Sequence, residues 1–170
     1  NEQSSGQLFI VGISHRDAEN LSNHHDTAQA QLDIFRIGEW LHRNLDLELL
    51  LPEGYFEGEK SGTCHCDNAA AGDIDTDLIY ARLADDSRFV NAEMLLMEQF
   101  GMHAAQVEDR NRYAAVCNCL GELTKKSCTP LQMEAKLDEL QYLQEMRTAR
   151  MLQEIPSAIE TELRAETIRN

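Results

Sequence analysis

The sequence predicts an α/β fold with a largely parallel sheet flanked by helices and a long helical hairpin in the C-terminal half. Two apolar runs, at residues 8–11 and 47–51, enclose a segment with helical periodicity, and this order predicts a strand–helix–strand unit. The two strands of such a unit lie parallel and are joined by a right-handed crossover. The hairpin is predicted from two periodic segments, at residues 110–126 and 131–155, that follow one another closely.

The elements follow in chain order from apolar spacing and from residues that start or stop helices. The predicted strands are 7–11, 47–51 and 102–107, and the predicted helices are 26–44, 75–83, 89–100, 110–126 and 131–155. Pro156 is expected to interrupt the longest helix, and Ser157 to cap a last one. A long irregular loop is expected at 55–75.

Helix faces and helix ends are predicted from local patterns. In the first helix, the residues that recur at spacings of three and four are Ala30, Ile34, Ile37, Leu41 and Leu45, which predicts that they form its buried face. Phe35 and Trp40 are expected to widen this face. Gly101 is expected to end the third helix, and Pro130 to stand in the first turn of the long one. Glu108 and Asp109 form either a second acidic wall at a site or, for Asp109, the cap of the helix that follows.

Composition limits the classes of partner. The 170 residues suit a single domain, 1–170, with 42% hydrophobic and 26% charged residues. Acidic residues outnumber basic ones by 30 to 15, and the formal charge of −15 repels phosphate backbones, so nucleic acid is not an expected partner. No apolar run approaches the roughly 20 residues of a membrane-spanning helix. A homo-oligomer is compatible with these limits.

The termini and the cysteines leave the compartment open. The chain begins at Asn1 rather than at Met, and we therefore expect either a cytoplasmic protein or one exported after removal of a signal. The five cysteines are Cys64, Cys66, Cys117, Cys119 and Cys128. Two Cys-x-Cys pairs would suit a four-thiolate zinc site poorly, because such sites favour two or more intervening residues. A disulfide between loop and helix, or unpaired buried thiols, are the alternatives.

Two polar residues stand just beyond the first two predicted strands. His15 follows the first strand and Glu53 follows the second. Ligands of open α/β sheets bind at the C-terminal ends of parallel strands, so we expect these side chains to meet there. A histidine and a carboxylate can bind a metal or transfer protons. The alternatives are a loop histidine bonded to nearby backbone and a carboxylate that caps nearby amides.

The order of these motifs resembles a known superfamily. A strand ending in Gly-x-x-His (Gly12 to His15), an amphipathic helix, a strand ending in Glu53, and a later Glu108–Asp109 pair resemble the superfamily of TraB proteins, Tiki proteases, ChaN-like haem-binding lipoproteins and erythromycin esterases. Arg147, with Met151 one turn later, is similar to an arginine motif of that superfamily, and Arg110–Asn111 is a competing match that lacks the methionine. The superfamily's second Gly-x-x-His strand is missing, which predicts that the chain is incomplete at its C-terminus.

The resemblance implies a hydrolase of peptidase or esterase type that acts on a small-molecule or peptide substrate. His15, Glu53 and Arg147 would be its catalytic residues, and His15 and Glu53 would hold a divalent metal such as Mn, Co, Zn or Fe. The metal would lower the pKa of a bound water; without metal, His15 or Glu53 would be the general base. Arg147 would hold an anionic group or orient Glu53 through a bidentate contact, unless it lies on a solvated face. The alternative function is a non-catalytic module that binds haem or another small ligand.

Overall fold

The computed structural model describes residues 7–12, 25–57, 74–85, 87–88, 90–124 and 129–169. The described elements are α1 (His25–Leu45), β1 (Leu49–Leu50), α2 (Thr76–Ala84), α3 (Ala92–Phe100), β2 (His103–Ala104), α4 (Arg110–Leu123) and α5 (Pro130–Arg169). Most described residues are therefore helical, and the helices predicted within residues 25–124 are confirmed to within a few residues of their ends. None of the described helices is long and apolar enough to cross a membrane.

The prediction of a largely parallel sheet is wrong. The described strands, β1 and β2, have two residues each and pair in parallel, with Leu49 opposite His103 and Leu50 opposite Ala104. Residues 7–12 form no strand, and the side chains of Leu8 and Ile10 are 54% and 81% exposed. A short apolar run does not by itself fix strand structure, because a strand also needs a hydrogen-bonded neighbour. The second predicted strand does have such a neighbour, because it pairs with the third.

The chain forms two compact units. The first comprises Asn1–Glu48 and Cys64–Met102 and contains α1, α2 and α3; the second comprises Leu49–Thr63 and His103–Asn170 and contains β1, β2, α4 and α5. In the second unit, α4 and α5 pack against each other, which agrees with the predicted helical hairpin. The assignment of residues 1–170 to one domain stays a prediction.

The first unit is built around α1, whose buried face agrees only in part with the predicted one. Its fully buried large side chains come from three helices and are Phe35, Leu83 and Leu95. Leu41 is buried as predicted, whereas Ile37 and Leu45 are each 44% exposed. Gly38 lies directly against Leu96, where a methyl group would collide. The helix α3 therefore packs against the side of α1 that contains Phe35 and Gly38.

One buried side chain joins α1 to the start of α3. Gln31 is 6% exposed, and its Oε1 accepts a hydrogen bond of 2.8 Å from the backbone N–H of Ala92. Ala92 is the first residue of α3, and its N–H is one of four that a helix cannot satisfy internally. The Asn91 side chain satisfies a second, from Met94. α3 is therefore anchored at its N-terminus by α1 as well as by its own cap.

The helix ends follow the sequence prediction closely. Gly101 adopts the left-handed conformation, with φ of 67°, and donates to the carbonyl of Met97, so it ends α3 as expected. Asp109 caps α4, because its carboxylate accepts hydrogen bonds of 3.0 Å from both Asn111 and Arg112 backbone N–H groups. The hydrogen bond from Arg112 is the main reason why the pKa of Asp109 is lowered.

The predicted break at Pro156 is wrong, because α5 is one helix of 40 residues with Pro156 inside it. Ser157 does not cap a new helix; its carbonyl instead accepts a 2.8 Å hydrogen bond from the Thr161 hydroxyl one turn later. Proline removes one backbone hydrogen bond from a helix interior. The helix continues across this site, which the local sequence alone does not predict.

Replacing Gln31 with Met should destabilise the protein by about 1–3 kcal/mol, because the buried N–H of Ala92 loses its acceptor. Gln29→Met on the same helix is the control. The Gln29 side chain donates to the exposed Asp33 one turn later, so this substitution should cost less than about 0.5 kcal/mol. The free energies of unfolding are measured in urea. Equal stability of the two variants would contradict the role of Gln31.

Pro156→Ala should raise the free energy of unfolding by about 1–3 kcal/mol, because alanine restores a helix hydrogen bond. Ser157→Ala should change it by less than about 0.5 kcal/mol, since position 157 is then a helix interior. Thermal unfolding followed by circular dichroism measures both. A helix broken at Pro156 would give the reverse: no gain for Pro156→Ala, and a loss of about 1 kcal/mol for Ser157→Ala.

Candidate functional site

Three residues singled out in the sequence meet in the second unit. Glu53 follows β1, Glu108 follows β2, and Arg147 lies on α5. The Arg147 guanidinium contacts both carboxylates. His15, the other predicted catalytic and metal-binding residue, lies outside the described residues, so its distance from this cluster stays a prediction.

Arg147 forms a bidentate ion pair with Glu108, and the remaining nitrogen of its guanidinium contacts Glu53. Arg147 Nε and Nη2 donate to Glu108 Oε1 and Oε2 at 2.9 and 2.6 Å, and Nη1 lies 2.6 Å from Glu53 Oε1. The side chains are 0% exposed for Glu108, 11% for Arg147 and 41% for Glu53. The buried pair therefore holds Glu53, and Glu53 is the member that solvent and ligands reach most easily.

The turn after β1 presents Glu53 to Arg147. Gly54 has φ of 72°, a left-handed conformation that favours glycine, and the Tyr55 N–H closes the turn on the Pro52 carbonyl at 3.4 Å. The Gly54 N–H also donates to Glu108 Oε2 at 3.3 Å. A side chain at Gly54 would lie about 3.3 Å from the Tyr113 ring, so glycine serves both the turn and the close approach.

Gln106 joins the ends of the two strands. Its Nε2 donates to the Glu108 carbonyl, and its Oε1 accepts from the backbone N–H of Glu57, both at 2.9 Å. Because β1 and β2 have only two residues each, these side-chain bonds extend the pairing beyond the strands. Gln106 is the amide within the apolar run 102–107, and this polar side chain is the sequence signal for its role.

An aromatic layer covers one side of the cluster. The Arg147 guanidinium lies 5.0 Å from the centre of the Tyr113 ring, which meets the buried Phe56 edge-on at 5.4 Å. Arg110 covers the Phe56 ring at 4.4 Å. Burial is the main cause that raises the pKa of Tyr113, with the neighbouring Cys117 thiol second. The sequence indicates Tyr113 as part of a helix face, but gives no sign that its ring meets Arg147.

The two neighbouring carboxylates keep the Arg147 guanidinium protonated. Its hydrogen bonds with Glu108 are the largest cause that raises the pKa of Arg147; burial opposes this, and Glu53 adds to it. The guanidinium therefore stays protonated, which offsets the charge of a fully buried carboxylate. Its role in this arrangement is to position carboxylates, because Nε, Nη1 and Nη2 are all engaged with Glu53 and Glu108.

The described residues around Glu53 do not fit a divalent metal. A cationic guanidinium lies 2.6 Å from Glu53 Oε1, and a metal ion at the same oxygen would be repelled by it. The described part of the chain contains no group of three His, Cys, Asp or Glu residues that could hold a metal. A metal bound by His15 and Glu53 stays a prediction that depends on His15.

Two of the five cysteines lie in described segments, and both are free thiols. Cys117 is exposed, while Cys119 is buried against the Lys136 carbonyl, with Sγ at 3.7 Å from it. Residues 64, 66 and 128 lie outside the described segments, so the zinc and disulfide alternatives stay predictions.

We found no match to this chain among protein-family models, curated proteins or solved structures. The resemblance to the TraB, Tiki, ChaN-like and erythromycin esterase superfamily therefore rests on the motifs in the sequence and stays a prediction.

Arg147→Met should destabilise the second unit by about 3–5 kcal/mol, because it leaves the buried Glu108 carboxylate without its counter-charge. The double variant Arg147→Met, Glu108→Leu should recover most of that loss, since neither charge remains. Arg164→Met is the matched control on the same helix: it removes an exposed pair with Glu160 and should cost less than about 1 kcal/mol. Urea unfolding of all three tests this. Additive losses in the double variant would contradict the pairing.

Proposed function

We propose that the protein is a hydrolase-like protein that acts on an ester or amide substrate. Glu53 is its general base, and Arg147 positions Glu53. The observation that supports this most directly is the 2.6 Å contact between Arg147 and Glu53, made by a guanidinium that the buried Glu108 already holds in place. A reacting group must be fixed within hydrogen-bond reach of its substrate. The described site has a partly exposed carboxylate held by a buried pair, as such a reaction requires.

In the proposed reaction, the ionised Glu53 acts as general base on a water molecule. The proton moves from water to the carboxylate, the resulting hydroxide oxygen forms a bond to the carbonyl carbon, and the carbon–oxygen or carbon–nitrogen bond to the leaving group breaks. The protonated Glu53 then returns its proton to the leaving group, which restores the ionised carboxylate. Arg147 takes part as a positioning residue. His15 is the second candidate base.

Glu53→Gln should lower hydrolysis by about 10²–10⁴-fold, the usual contribution of a general base. The assay uses p-nitrophenyl esters and fluorogenic peptides, with the full chain prepared with and without added Mn²⁺, Co²⁺, Zn²⁺ or Fe²⁺. Glutamine keeps the size of the side chain and an oxygen for Arg147, so the fold should be retained. Circular dichroism and urea unfolding check that it is.

Glu134→Gln is the matched control, because Glu134 is exposed on α5 and belongs to none of the site contacts. It should retain wild-type activity. His15→Ala, tested beside it, separates the two candidate bases. Activity that survives Glu53→Gln would contradict the proposed role of Glu53, and activity lost in His15→Ala but not in Glu53→Gln would make His15 the base. No hydrolysis by the wild type, with haem or another ligand bound in a manner that depends on Glu53, would favour the non-catalytic module instead.

A further inference from the structure

An open cleft lies between α1 and α2 in the first unit. Its volume is about 330 Å³, which falls within the range of roughly 300–1,000 Å³ that is usual for ligand pockets. The residues of each helix that line the cleft are three or four positions apart, so each helix presents one side to it. The lining side chains are Gln29, Leu32 and Arg36 from α1, and Thr76, Asp77 and Tyr80 from α2.

Arg36 brings a positive charge to the cleft. Its Nη1 lies 3.8 Å from Asp33 Oδ1, which is too far for a hydrogen bond. The same Asp33 oxygen accepts a 3.1 Å hydrogen bond from Gln29 Nε2. The Arg36 side chain is 52% exposed, and a guanidinium presents five N–H donors that suit a carboxylate. Among the described residues, a carboxylate in the cleft would compete only with this long, exposed ion pair.

Asp77 brings a negative charge to the cleft from the facing helix. The end of α2 does not need its carboxylate, because the Asp75 side chain caps the helix and accepts from the Asp77 backbone N–H at 3.0 Å. Within the described part of the chain, Arg36 and Asp77 form no ion pair with each other, although both line the cleft. The cleft therefore holds two opposite charges on facing walls that do not neutralise each other.

Apolar and aromatic surface lies between these charges. Leu32 is 4% exposed and lies at the base of the cleft. Tyr80 is half-buried and contributes its ring from α2. A ligand with a carboxylate, an ammonium group and an apolar side chain would meet a complementary surface at each of its three groups.

We propose that this cleft binds a small zwitterion, namely a free α-amino acid with an aromatic or aliphatic side chain. Arg36 binds its carboxylate, Asp77 binds its ammonium group, and Leu32 and Tyr80 contact its side chain. The net charge of −15 disfavours a simple anion as the ligand. The Arg36 guanidinium disfavours a simple amine, because it repels a second cation in the same cleft. The site lies in the first unit, so the proposal does not depend on the hydrolytic role of Glu53.

L-phenylalanine is the probe, and the full chain is titrated with it in ¹⁵N–¹H nuclear magnetic resonance spectra. Binding should be saturable, with the largest shifts in residues 29–36 and 76–80. Two analogues test the need for both charges: 3-phenylpropanoate lacks the ammonium group, and 2-phenylethylamine lacks the carboxylate. Each should bind at least about tenfold more weakly than L-phenylalanine, because one charged side chain of the cleft then has no partner on the ligand.

Two variants test the two contacts separately. Arg36→Gln and Asp77→Asn should each weaken the binding of L-phenylalanine at least about tenfold. Arg36→Gln should not weaken the binding of 2-phenylethylamine, and Asp77→Asn should not weaken that of 3-phenylpropanoate, since each analogue lacks the group that the altered residue binds. Arg43→Gln is the matched control on α1, because Arg43 contacts Glu39 and lies outside the cleft. It should bind L-phenylalanine like the wild type.

Three results would overturn the proposal. The first is the absence of saturable binding of L-phenylalanine to the wild type. The second is equal affinity for L-phenylalanine and 2-phenylethylamine, which would indicate attraction of amines to an acidic surface alone. The third is equal binding of L-phenylalanine by Arg36→Gln and Arg43→Gln, because the ligand would then lie outside the cleft.

Discussion

The buried ion pair between Arg147 and Glu108 is the interaction on which the second unit depends. Strands of two residues cannot hold two chain segments together alone, because even a complete two-stranded hairpin is only marginally stable in water. Arg147 joins the segments that follow the two strands. It binds Glu108, beyond β2, in bidentate fashion, and it binds Glu53, beyond β1, through its third nitrogen. The cost of burying the Glu108 carboxylate is offset only while the guanidinium stays in place. The position of α5 and both strand ends are thereby coupled.

The two carboxylates that Arg147 binds have different roles. Glu108 is fully buried and accepts from Gly54 as well as from Arg147, so its oxygens serve the structure. Glu53 shares the guanidinium but remains 41% exposed, and it can therefore meet a substrate. Gly54 permits this arrangement by turning the chain and by leaving room for the Tyr113 ring. The proposed hydrolytic role for Glu53 follows from this difference in exposure between two neighbours of one cation.

Local signals predicted the helices and their caps, and non-local contacts account for what was missed. Gly101 and Asp109 act within one helical turn of their own position, so the sequence suffices for them. Strand pairing joins residues far apart in the chain. The apolar run at 8–11 met the local criterion for a strand, but it pairs with no strand in the described part of the chain. Arg147 was expected to orient Glu53 through a bidentate contact, and it does contact Glu53, but its bidentate partner is Glu108. The contacts of Gln106 with Glu57 and of Tyr113 with Arg147 were missed because these partners lie far away in the chain.

The central claim is that Arg147 is held in a buried bidentate pair, and the side-chain N–H spectrum of the arginines tests it most directly. A ¹⁵N–¹H nuclear magnetic resonance spectrum of the wild type should contain one Nε–H signal that is shifted downfield and protected from exchange with solvent. That signal should disappear in Arg147→Lys, because lysine has no Nε–H of this kind, and it should lose its protection in Glu108→Gln. If every arginine Nε–H instead exchanged as fast as those on the surface, Arg147 would not be in a buried pair, and the account of the second unit would be contradicted.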